Sequence, residues 1–261
     1  MYKLYLLDMD GTLYIDNSLF DGVKDFLTYI RENGGRYVFL TNNSSRGADK
    51  YIEKLRGMGI ETNRGDYLTS VDVTSDYLRA KNYKKIYVFG TDSFKKQLAE
   101  DGHSVTDEIS DDIDCLVMGF DTELTFKKLE DACILLKREI AYIATNPDWV
   151  CPTWYGYVPD CGSVAEMLYR ATGKRPLFMG KPQKNIVDLA VKKYGFEKEE
   201  TVIIGDRVYT DIMCGKNAGI DSVLVLSGEG TTEDLKTYDV TPAYVTKDIK
   251  EFYEIIKSTG I

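Results

Sequence analysis

The sequence predicts an α/β fold with parallel sheets, in which one domain is inserted into another. Short apolar runs typical of buried strands alternate along the chain with stretches of helical periodicity. The first apolar run leads directly into two aspartates, and similar polar motifs follow other runs near both ends of the chain. This alternation is typical of βα units and favours a Rossmann-like parallel sheet, which binds ligands at the carboxyl ends of its strands.

The apolar runs and helical stretches can be placed along the chain. Strands are predicted at residues 3–7, 37–40, 86–89, 115–118, 141–144, 202–204 and 223–226. Helical spacing puts two apolar sets on single faces: Val23, Phe26, Leu27 and Ile30, and then Phe126, Leu129, Ala132, Cys133 and Leu136. A capping box is predicted from Ser163 to Glu166, a helix stop at Gly219, and a loop over residues 149–162.

The distribution of the strand-end motifs predicts the domain organisation. They occur before about residue 45 and again from about residue 180, whereas the middle has strands and helices without a comparable carboxylate pair. We therefore expect a core formed by residues 1–80 and 178–261, and an inserted α/β domain at residues 81–177.

Composition argues against two classes of partner. The 261 residues include 33 basic and 42 acidic side chains, and the net charge of −9 disfavours binding to nucleic acid or to an anionic membrane. No apolar run approaches the roughly 20 residues that span a bilayer, and no basic N-terminal segment leads into one. The sequence therefore predicts a cytoplasmic protein.

The cysteine and histidine content limits which metal sites and catalytic groups the chain can form. The five cysteines have no CxxC spacing, so neither a zinc site nor a disulfide framework is indicated. The single histidine, His103, lies in a turn-like stretch and is interpreted as a loop residue. Hydrolytic chemistry would then depend on carboxylates, lysine, hydroxyls and a hard cation, and oxygen ligands suit magnesium better than zinc.

Four motifs occur in an order that suggests one site. They are DMDGT at 8–12, TNN at 41–43, GKP at 180–182 and GDRVYTD at 205–211, and three of them directly follow predicted strands. Parallel strands would gather their polar side chains in one crevice: Asp8, Asp10, Thr41, Asn42, Lys181, Asp206 and Asp211. An acidic cluster with one lysine and a hydroxyl has the composition of a phosphate-and-magnesium site.

Each residue also has a purely structural interpretation. Asp10 and Asp206 could be helix N-caps, Lys181 a solvated surface charge, and Thr41 with Asn42 a turn. Taken singly, these interpretations would prevail. The joint order of the motifs at strand ends favours the catalytic interpretation.

The same motifs resemble those of the haloacid dehalogenase (HAD) superfamily, in particular the NagD-like, class IIA phosphatases. GFDTELTF at 119–126 and ATNPD at 144–148 resemble motifs of the cap domain in that group. The resemblance covers essentially the whole chain. It implies a HAD-like catalytic core and a large inserted α/β cap of the C2 type that determines substrate specificity.

The resemblance also implies roles for individual residues. Asp8 would be the nucleophile that forms an aspartyl-phosphate, and Asp10 would protonate the leaving oxygen and then activate water. Magnesium would be held by Asp8, Asp206 and the main-chain carbonyl of Asp10, with support from Asp211. Phosphate would be bound by four residues: Thr41, Asn42, Asn43 and Lys181.

The implied activity is magnesium-dependent hydrolysis of small phosphomonoesters, such as sugar or related metabolite phosphates and p-nitrophenyl phosphate. The paired acids Asp8 and Asp10 favour a phosphatase over the founding dehalogenases, which lack the second acid. Two alternatives are a phosphotransferase or mutase and a non-catalytic ligand-binding protein. Members of this group often associate through the cap, so the resemblance is compatible with a homodimer. No residue of the sequence determines the oligomeric state.

The predicted loop at 149–162 suggests how the cap would select substrates. Its aromatic residues Trp149, Trp154, Tyr155 and Tyr157 would stack on a substrate ring, or else belong to the cap core or a dimer contact. Asp160 stands where relatives usually have glycine. A carboxylate there would suit a neutral polyol or sugar monophosphate better than a bisphosphate.

Overall fold

The computed structural model describes residues 2–45, 47–153 and 155–259 and divides into two compact units. The first unit comprises the residues up to Thr41, Ala48–Leu68, and the residues from Lys181 onward. The second comprises Asn42–Gly47 and Thr69–Gly180. The chain thus leaves the first unit twice and returns to it twice.

Fifteen strands and ten α-helices occur within the described residues. The strands are β1 Leu4–Leu7, β2 Tyr14–Ile15, β3 Ser18–Leu19, β4 Arg36–Thr41, β5 Tyr67–Thr69, β6 Ile86–Phe89, β7 Val105–Thr106, β8 Cys115–Met118, β9 Ala141–Ala144, β10 Val150–Thr153, β11 Gly156–Pro159, β12 Leu177–Phe178, β13 Thr201–Gly205, β14 Asp221–Val225 and β15 Tyr244–Thr246. The helices are α1 Val23–Glu32, α2 Ala48–Gly57, α3 Ser70–Lys81, α4 Asp92–Glu100, α5 Phe126–Leu135, α6 Cys161–Thr172, α7 Asn185–Tyr194, α8 Met213–Ala218, α9 Thr232–Thr237 and α10 Ile249–Thr259.

A six-stranded sheet organises the first unit. Its strand order is β15-β14-β13-β1-β4-β5, and β1 pairs in parallel with β13 on one side and with β4 on the other. β1 is buried along its whole length because its four residues are apolar. This central position places the residue after β1 beside the ends of two neighbouring strands.

Apolar helix faces cover this sheet. The predicted face of α1 is confirmed, since Val23, Phe26, Leu27 and Ile30 are all buried. The Phe26 ring contacts Tyr5 of β1 and Phe252 of α10, with ring centroids 5.7 and 6.0 Å apart. This aromatic packing fixes the helices against the strands that lead into the polar motifs.

The second unit has its own parallel sheet, with strand order β12-β9-β8-β6-β7. Its predicted strands at 86–89, 115–118 and 141–144 match the observed bounds. The predicted face of α5 is buried at Ala132 and at Leu136, which follows the helix, but Phe126, the first residue of the helix, is 74% exposed. Both units are therefore α/β, which confirms the predicted fold class.

The division between the units differs from the sequence expectation. Residues 69–80 were expected in the core, but they form most of α3, which belongs to the second unit. The short segment Asn42–Gly47 also belongs to the second unit. The boundary at residue 69 carries no turn signal, because α3 begins directly after β5. Residues 42–47 do have a turn-like composition, rich in asparagine, serine and glycine, but this does not show which unit they join.

Two local predictions are wrong. Ser163 does not cap a helix, since α6 begins at Cys161 and its N-cap is Asp160, whose carboxylate accepts a hydrogen bond from the Cys161 amide. The predicted loop at 149–162 contains the antiparallel hairpin of β10 and β11. The predicted stop at Gly219 is confirmed, because this residue ends α8 in a left-handed conformation.

Among the described residues, no helix is both long and apolar enough to cross a bilayer. The longest helices, α3 and α6, have 12 residues each. This observation agrees with the absence of a long apolar run in the sequence.

His103 provides a prediction about the second unit. The residue follows α4 in a loop, as expected, and its Nε2 lies 2.9 Å from the Ser75 hydroxyl. Partial burial, together with the nearby Arg79 cation, lowers the pKa of His103 below 6.5. The unfolded chain therefore binds a proton more readily than the folded protein, so the stability contributed here is present above about pH 6.5 and is lost as the pH falls towards the lowered folded-state pKa.

Because the chain has one histidine, NMR titration of its imidazole protons measures this pKa without ambiguity. We expect a midpoint below 6.5 for the folded protein. A midpoint at or above the value found in urea-unfolded protein would contradict the assignment.

Candidate functional site

The site begins where β1 and β13 end. The two strands run parallel with Leu7 opposite Ile204, so Asp8 and Asp206 both follow the carboxyl ends of neighbouring strands. The Asp8 amide donates a hydrogen bond of 2.9 Å to the Ile204 carbonyl. Strand register therefore brings together two carboxylates that are almost 200 residues apart in the chain.

A third carboxylate joins this pair. Asp211 lies in the π-helical turn Val208–Ile212 directly after β13. Each of Asp8, Asp206 and Asp211 offers an oxygen within 4.8 Å of the oxygens of the other two. Asp206 and Asp211 are each only 1% exposed, so their charges are largely removed from water.

Lys181 supplies the positive charge of this cluster. Its Nζ lies 2.5 Å from Asp8 Oδ1 and 2.7 Å from Asp211 Oδ1, and the residue is 2% exposed. The predicted alternative of a solvated surface charge is therefore wrong. Buried ion pairs of this kind are costly to break, because the remaining charge would be left without compensation.

Burial and the close approach of these charges shift the pKa values of Asp8, Asp206 and Lys181. Burial, offset in part by Lys181, raises the pKa of Asp8 to about 8, with further contributions from Asp211 and Asp206. Burial and the Asp211 charge raise the pKa of Asp206 to about 6. Desolvation opposes the charge of Lys181, but the attraction of Asp211 and Asp8 outweighs it and raises the pKa of the lysine above its ordinary value. Lys181 thus remains an ammonium, and the carboxylates need more positive charge to be fully ionised.

The donor set fits a hard divalent cation. The three carboxylates and the one ammonium that contacts them carry a combined charge of −2 when every group is ionised. Divalent cations such as Mg²⁺ and Ca²⁺ prefer carboxylate and carbonyl oxygens. Asp8, Asp206 and Asp211 can therefore hold such an ion, and its charge would reverse the proton affinities given above.

Asp206 is held in place by a loop that follows β14. The Glu229 amide donates a 2.8 Å hydrogen bond to Asp206 Oδ2, and the Thr12 hydroxyl lies 3.3 Å from Oδ1. The Ser227 hydroxyl donates to the Gly11 carbonyl at 2.7 Å, which connects this loop to the DMDGT turn. The carboxylate is thus fixed by both turns.

Two glycines permit this close approach. A Cβ at Gly228 would lie 1.9 Å from Asp206 Oδ2, and one at Gly11 would lie 2.5 Å from the same atom. Gly11 also has a φ of +81°, which disfavours other residues. Both positions require glycine for Asp206 to reach its observed place.

Asp10 and Thr41 belong to the first unit but make different contacts. Asp10 Oδ1 accepts from Lys54 at 3.2 Å, and Asp10 Oδ2 accepts from the Tyr14 hydroxyl at 3.1 Å. Thr41 is the last residue of β4, and its hydroxyl lies 3.5 Å from the Tyr51 hydroxyl. Neither side chain belongs to the three-carboxylate cluster.

Asn42 and Asn43 belong to the second unit. The Asn42 amide donates to Asp148 Oδ2 at 3.0 Å. The Asn43 side-chain carbonyl accepts from the amide and the hydroxyl of Ser45, which closes a local turn. Their assignment to phosphate binding stays a prediction.

The hairpin region of the second unit places its polar and aromatic residues differently. Asp160 is buried and accepts from the Cys161 amide and the Asn146 side chain, so it holds the start of α6. Trp149, Tyr155 and Tyr157 are each more than half exposed. Trp154 lies outside the described residues. Substrate contact by any of these side chains stays a prediction.

Sequence reasoning missed several residues that contact the predicted site residues. The loop Ser227–Gly230 follows a predicted strand and contains two glycines, so its composition gave a usable signal. Thr12 lay inside the first motif but was given no role. Lys54 and Tyr14 gave no signal, because a lysine on a helix and a tyrosine after a turn are both common.

Comparison with protein families identifies two regions of similarity. Residues 5–104 match the model for haloacid dehalogenase-like hydrolases. Residues 178–252 match a second model for HAD-hydrolase-like sequences. The two regions contain all four motifs: residues 8–12, 41–43, 180–182 and 205–211.

Individual relatives extend the similarity to nearly the whole chain. The acid sugar phosphatase of Staphylococcus aureus (strain MRSA252) is 34% identical over 251 residues, which is 96% of each chain. The crystal structure of 4-nitrophenylphosphatase from Thermotoga maritima is 42% identical, covers 97% of each chain and has a TM-score of 0.91. NagD from the E. coli K-12 strain is 30% identical, covers 96% of this chain and 98% of its own, and has a TM-score of 0.88.

The contacts of Asp206 lead to a prediction about cation binding. Replacing Gly228 with alanine should weaken the affinity for a divalent cation by about 10–100-fold, because the added methyl group would displace the Asp206 carboxylate that we expect to bind the ion. Calorimetric titration of the metal-free protein measures this change.

Gly57→Ala serves as the control, since a Cβ at that helical position meets no atom within 4 Å. Thermal unfolding of both variants shows whether the fold is retained. Equal cation affinity in a folded Gly228→Ala variant and in the parent protein would argue against Asp206 as a ligand.

Proposed function

Because the chain belongs to the haloacid dehalogenase-like hydrolases as a NagD-like phosphatase, a phosphoric monoester hydrolase, we propose that it hydrolyses sugar or related metabolite phosphates with Mg²⁺. We place the chemistry at Asp8, Asp206, Asp211 and Lys181. The observation that carries this proposal is the convergence of these three carboxylates and one ammonium at the ends of β1 and β13.

We assign Asp8 as the nucleophile. Its carboxylate oxygen would form a bond to phosphorus while the bond from phosphorus to the leaving oxygen breaks, which gives an aspartyl-phosphate. Water would then attack the phosphorus, and the bond to Asp8 would break to release phosphate. Lys181 supports this role because it contacts Asp8 directly and can neutralise charge on a transferring phosphoryl group.

We assign Asp10 as the group that moves protons. It would donate a proton to the leaving oxygen in the first step and accept one from water in the second. Asp10 is two residues from Asp8, and its side chain is 58% exposed, so substrate and solvent can reach it. Exposure suits a group that must exchange a proton in each half of the cycle.

Phosphatases of this family generally use a divalent metal ion, and the donor set here favours Mg²⁺. We propose that Asp8, Asp206 and the main-chain carbonyl of Asp10 hold it, with support from Asp211. When bound, the ion would relieve the repulsion between an anionic nucleophile and an anionic ester. The Asp206 contacts from Glu229 and Thr12 would orient one of its ligands.

The remaining assignments are also part of the proposal. Thr41, Asn42 and Asn43 would join Lys181 in binding phosphate, and the second unit would act as the cap that selects the leaving group. The relative described as an acid sugar phosphatase supports sugar phosphates as the substrate class. The cytoplasmic location and the homodimer through the cap stay predictions.

Replacing Asp8 with asparagine tests the nucleophile. We expect release of phosphate to fall by about three orders of magnitude or more, since the attacking group is lost with little change in shape. The assay measures phosphate from p-nitrophenyl phosphate and from a panel of sugar phosphates, with and without Mg²⁺.

Asp131→Asn is a matched control, because it neutralises another buried carboxylate, which lies in α5 and contacts Tyr87. Circular dichroism and thermal unfolding check that both variants fold. Substantial turnover by a folded Asp8→Asn variant would mean that another group attacks phosphorus.

The raised pKa values of Asp8 (about 8) and Asp206 (about 6) predict how Mg²⁺ binding depends on pH. The cation binds the ionised carboxylates, so below these pKa values it must displace protons. We expect affinity to increase from about pH 6 to about pH 8, with proton release that diminishes towards the upper end.

Calorimetric titration with MgCl₂ in buffers of different ionisation enthalpy measures both the affinity and the number of protons released. The Asp206→Asn variant should release fewer protons near pH 6 than the parent protein. An affinity that is constant across this interval would show that the carboxylates are already ionised in the metal-free protein.

A further inference from the structure

The carboxylate of Asp10 is held on both of its oxygens. The Tyr14 hydroxyl donates to Oδ2 at 3.1 Å, and the Lys54 ammonium donates to Oδ1 at 3.2 Å. An exposed aspartate with a single partner can rotate about its terminal bond. Two donors on two different oxygens select one orientation of the carboxylate plane.

The two donors also contact each other. The Lys54 Nζ lies 3.9 Å from the centroid of the Tyr14 ring, which is a cation–π distance. Tyr14 is fully buried, so its ring gives the lysine a fixed surface to lie against. The three side chains of Asp10, Tyr14 and Lys54 form a closed set, which we call the Asp10 clamp.

The backbone fixes the position of the tyrosine. Asp10 and Tyr14 form an isolated β-bridge, and the Gly11 amide donates to the Tyr14 carbonyl at 2.9 Å. Lys54 comes from a separate element, α2, whose buried Leu55 packs in the core of the first unit.

We propose that Tyr14 and Lys54 are positioning residues, which orient the Asp10 carboxylate for proton transfer to the leaving oxygen of the substrate. The inference rests on the proposed function, in which Asp10 is the general acid. Each carboxylate oxygen has two acceptor sites, so the clamp leaves one site per oxygen for the transferred proton. Neither clamp residue needs to contact the substrate.

The proton balance shows where the clamp acts. In the first step Asp10 loses its proton to the leaving oxygen as the oxygen–phosphorus bond breaks. The carboxylate that remains is anionic, and the clamp supplies one hydrogen bond and one cation to it. In the second step the carboxylate takes a proton from the attacking water, which restores the starting state.

Leaving-group dependence separates this role from a structural one. An alkoxide is a poor leaving group and requires the proton, whereas p-nitrophenolate departs readily without it. The parameter kcat/KM reports steps up to departure of the leaving group, so breakdown of the aspartyl-phosphate does not affect it. The experiment compares kcat/KM for an alkyl phosphate, such as a sugar phosphate esterified at a primary hydroxyl, with kcat/KM for p-nitrophenyl phosphate.

We expect Tyr14→Phe and Lys54→Gln each to lower kcat/KM for the alkyl phosphate by about tenfold or more, which is part of the effect of a general acid. The value for p-nitrophenyl phosphate should change much less. Lys54→Arg keeps the cation near the ring and the carboxylate, and it should recover much of the lost activity on the alkyl phosphate.

Two variants serve as matched controls. Lys50→Gln removes an exposed lysine of the same helix that pairs with Glu53 at the surface. Tyr67→Phe removes a buried hydroxyl that hydrogen-bonds Thr62. Both should leave the ratio of the two kcat/KM values unchanged.

Asp10→Asn distinguishes failure of the inference from failure of the proposed function. If Asp10→Asn lowers kcat/KM equally for both substrates, Asp10 is not the general acid, and the inference fails together with that assignment. A second outcome is that Asp10→Asn lowers kcat/KM mainly for the alkyl phosphate, whereas Tyr14→Phe and Lys54→Gln lower it equally for both substrates. The assignment of Asp10 then stands, and the positioning role of the clamp is overturned. A loss of kcat/KM that is larger for the alkyl phosphate in all three variants supports the inference.

Discussion

The contact of the Lys181 ammonium with Asp8 and Asp211 is the interaction on which the site depends. Three carboxylates gathered within 4.8 Å and largely removed from water would repel one another strongly. Lys181 lies between two of them at 2.5 and 2.7 Å and remains protonated because of them. One cation is too few for three anions, so the same arrangement that stabilises the cluster also leaves it able to bind a divalent ion.

The parallel sheet makes this arrangement possible. β1 lies between β13 and β4, and its register with β13 places Asp8 beside Asp206 without any long loop. The apolar residues of these strands are buried on both faces, and that burial opposes the cost of holding charge at their ends. The glycines close to Asp206 allow its carboxylate to accept hydrogen bonds from the Glu229 amide and the Thr12 hydroxyl, so two turns fix its position.

The sequence predicted the parts of this structure that depend on local patterns. The central strands follow uninterrupted apolar runs, and the polar residues after them are close in sequence to those runs, so Asp8, Asp206, Asp211 and Lys181 could be found together. Local sequence patterns could not predict that α3 belongs to the second unit, because this grouping depends on packing between elements that are distant in the chain. The hairpin of β10 and β11 was missed since proline and glycine in that stretch are as common in loops as in edge strands. Lys54 was missed for a similar reason, because only the packing of α2 brings its ammonium to Asp10.

Asp8 and Asp10 lie in one turn but have very different environments. Asp8 is enclosed by Lys181 and two other carboxylates, and its proton affinity is set by burial and by those charges. Asp10 is largely exposed and contacts a hydroxyl and an ammonium that come from outside the cluster. A nucleophile must remain unprotonated beside an anionic ester, whereas a proton carrier must gain and lose a proton in each cycle. Environments that differ this much within three residues fit the different roles proposed for the two groups, a carboxylate nucleophile and a carboxylate acid that act on the same phosphate.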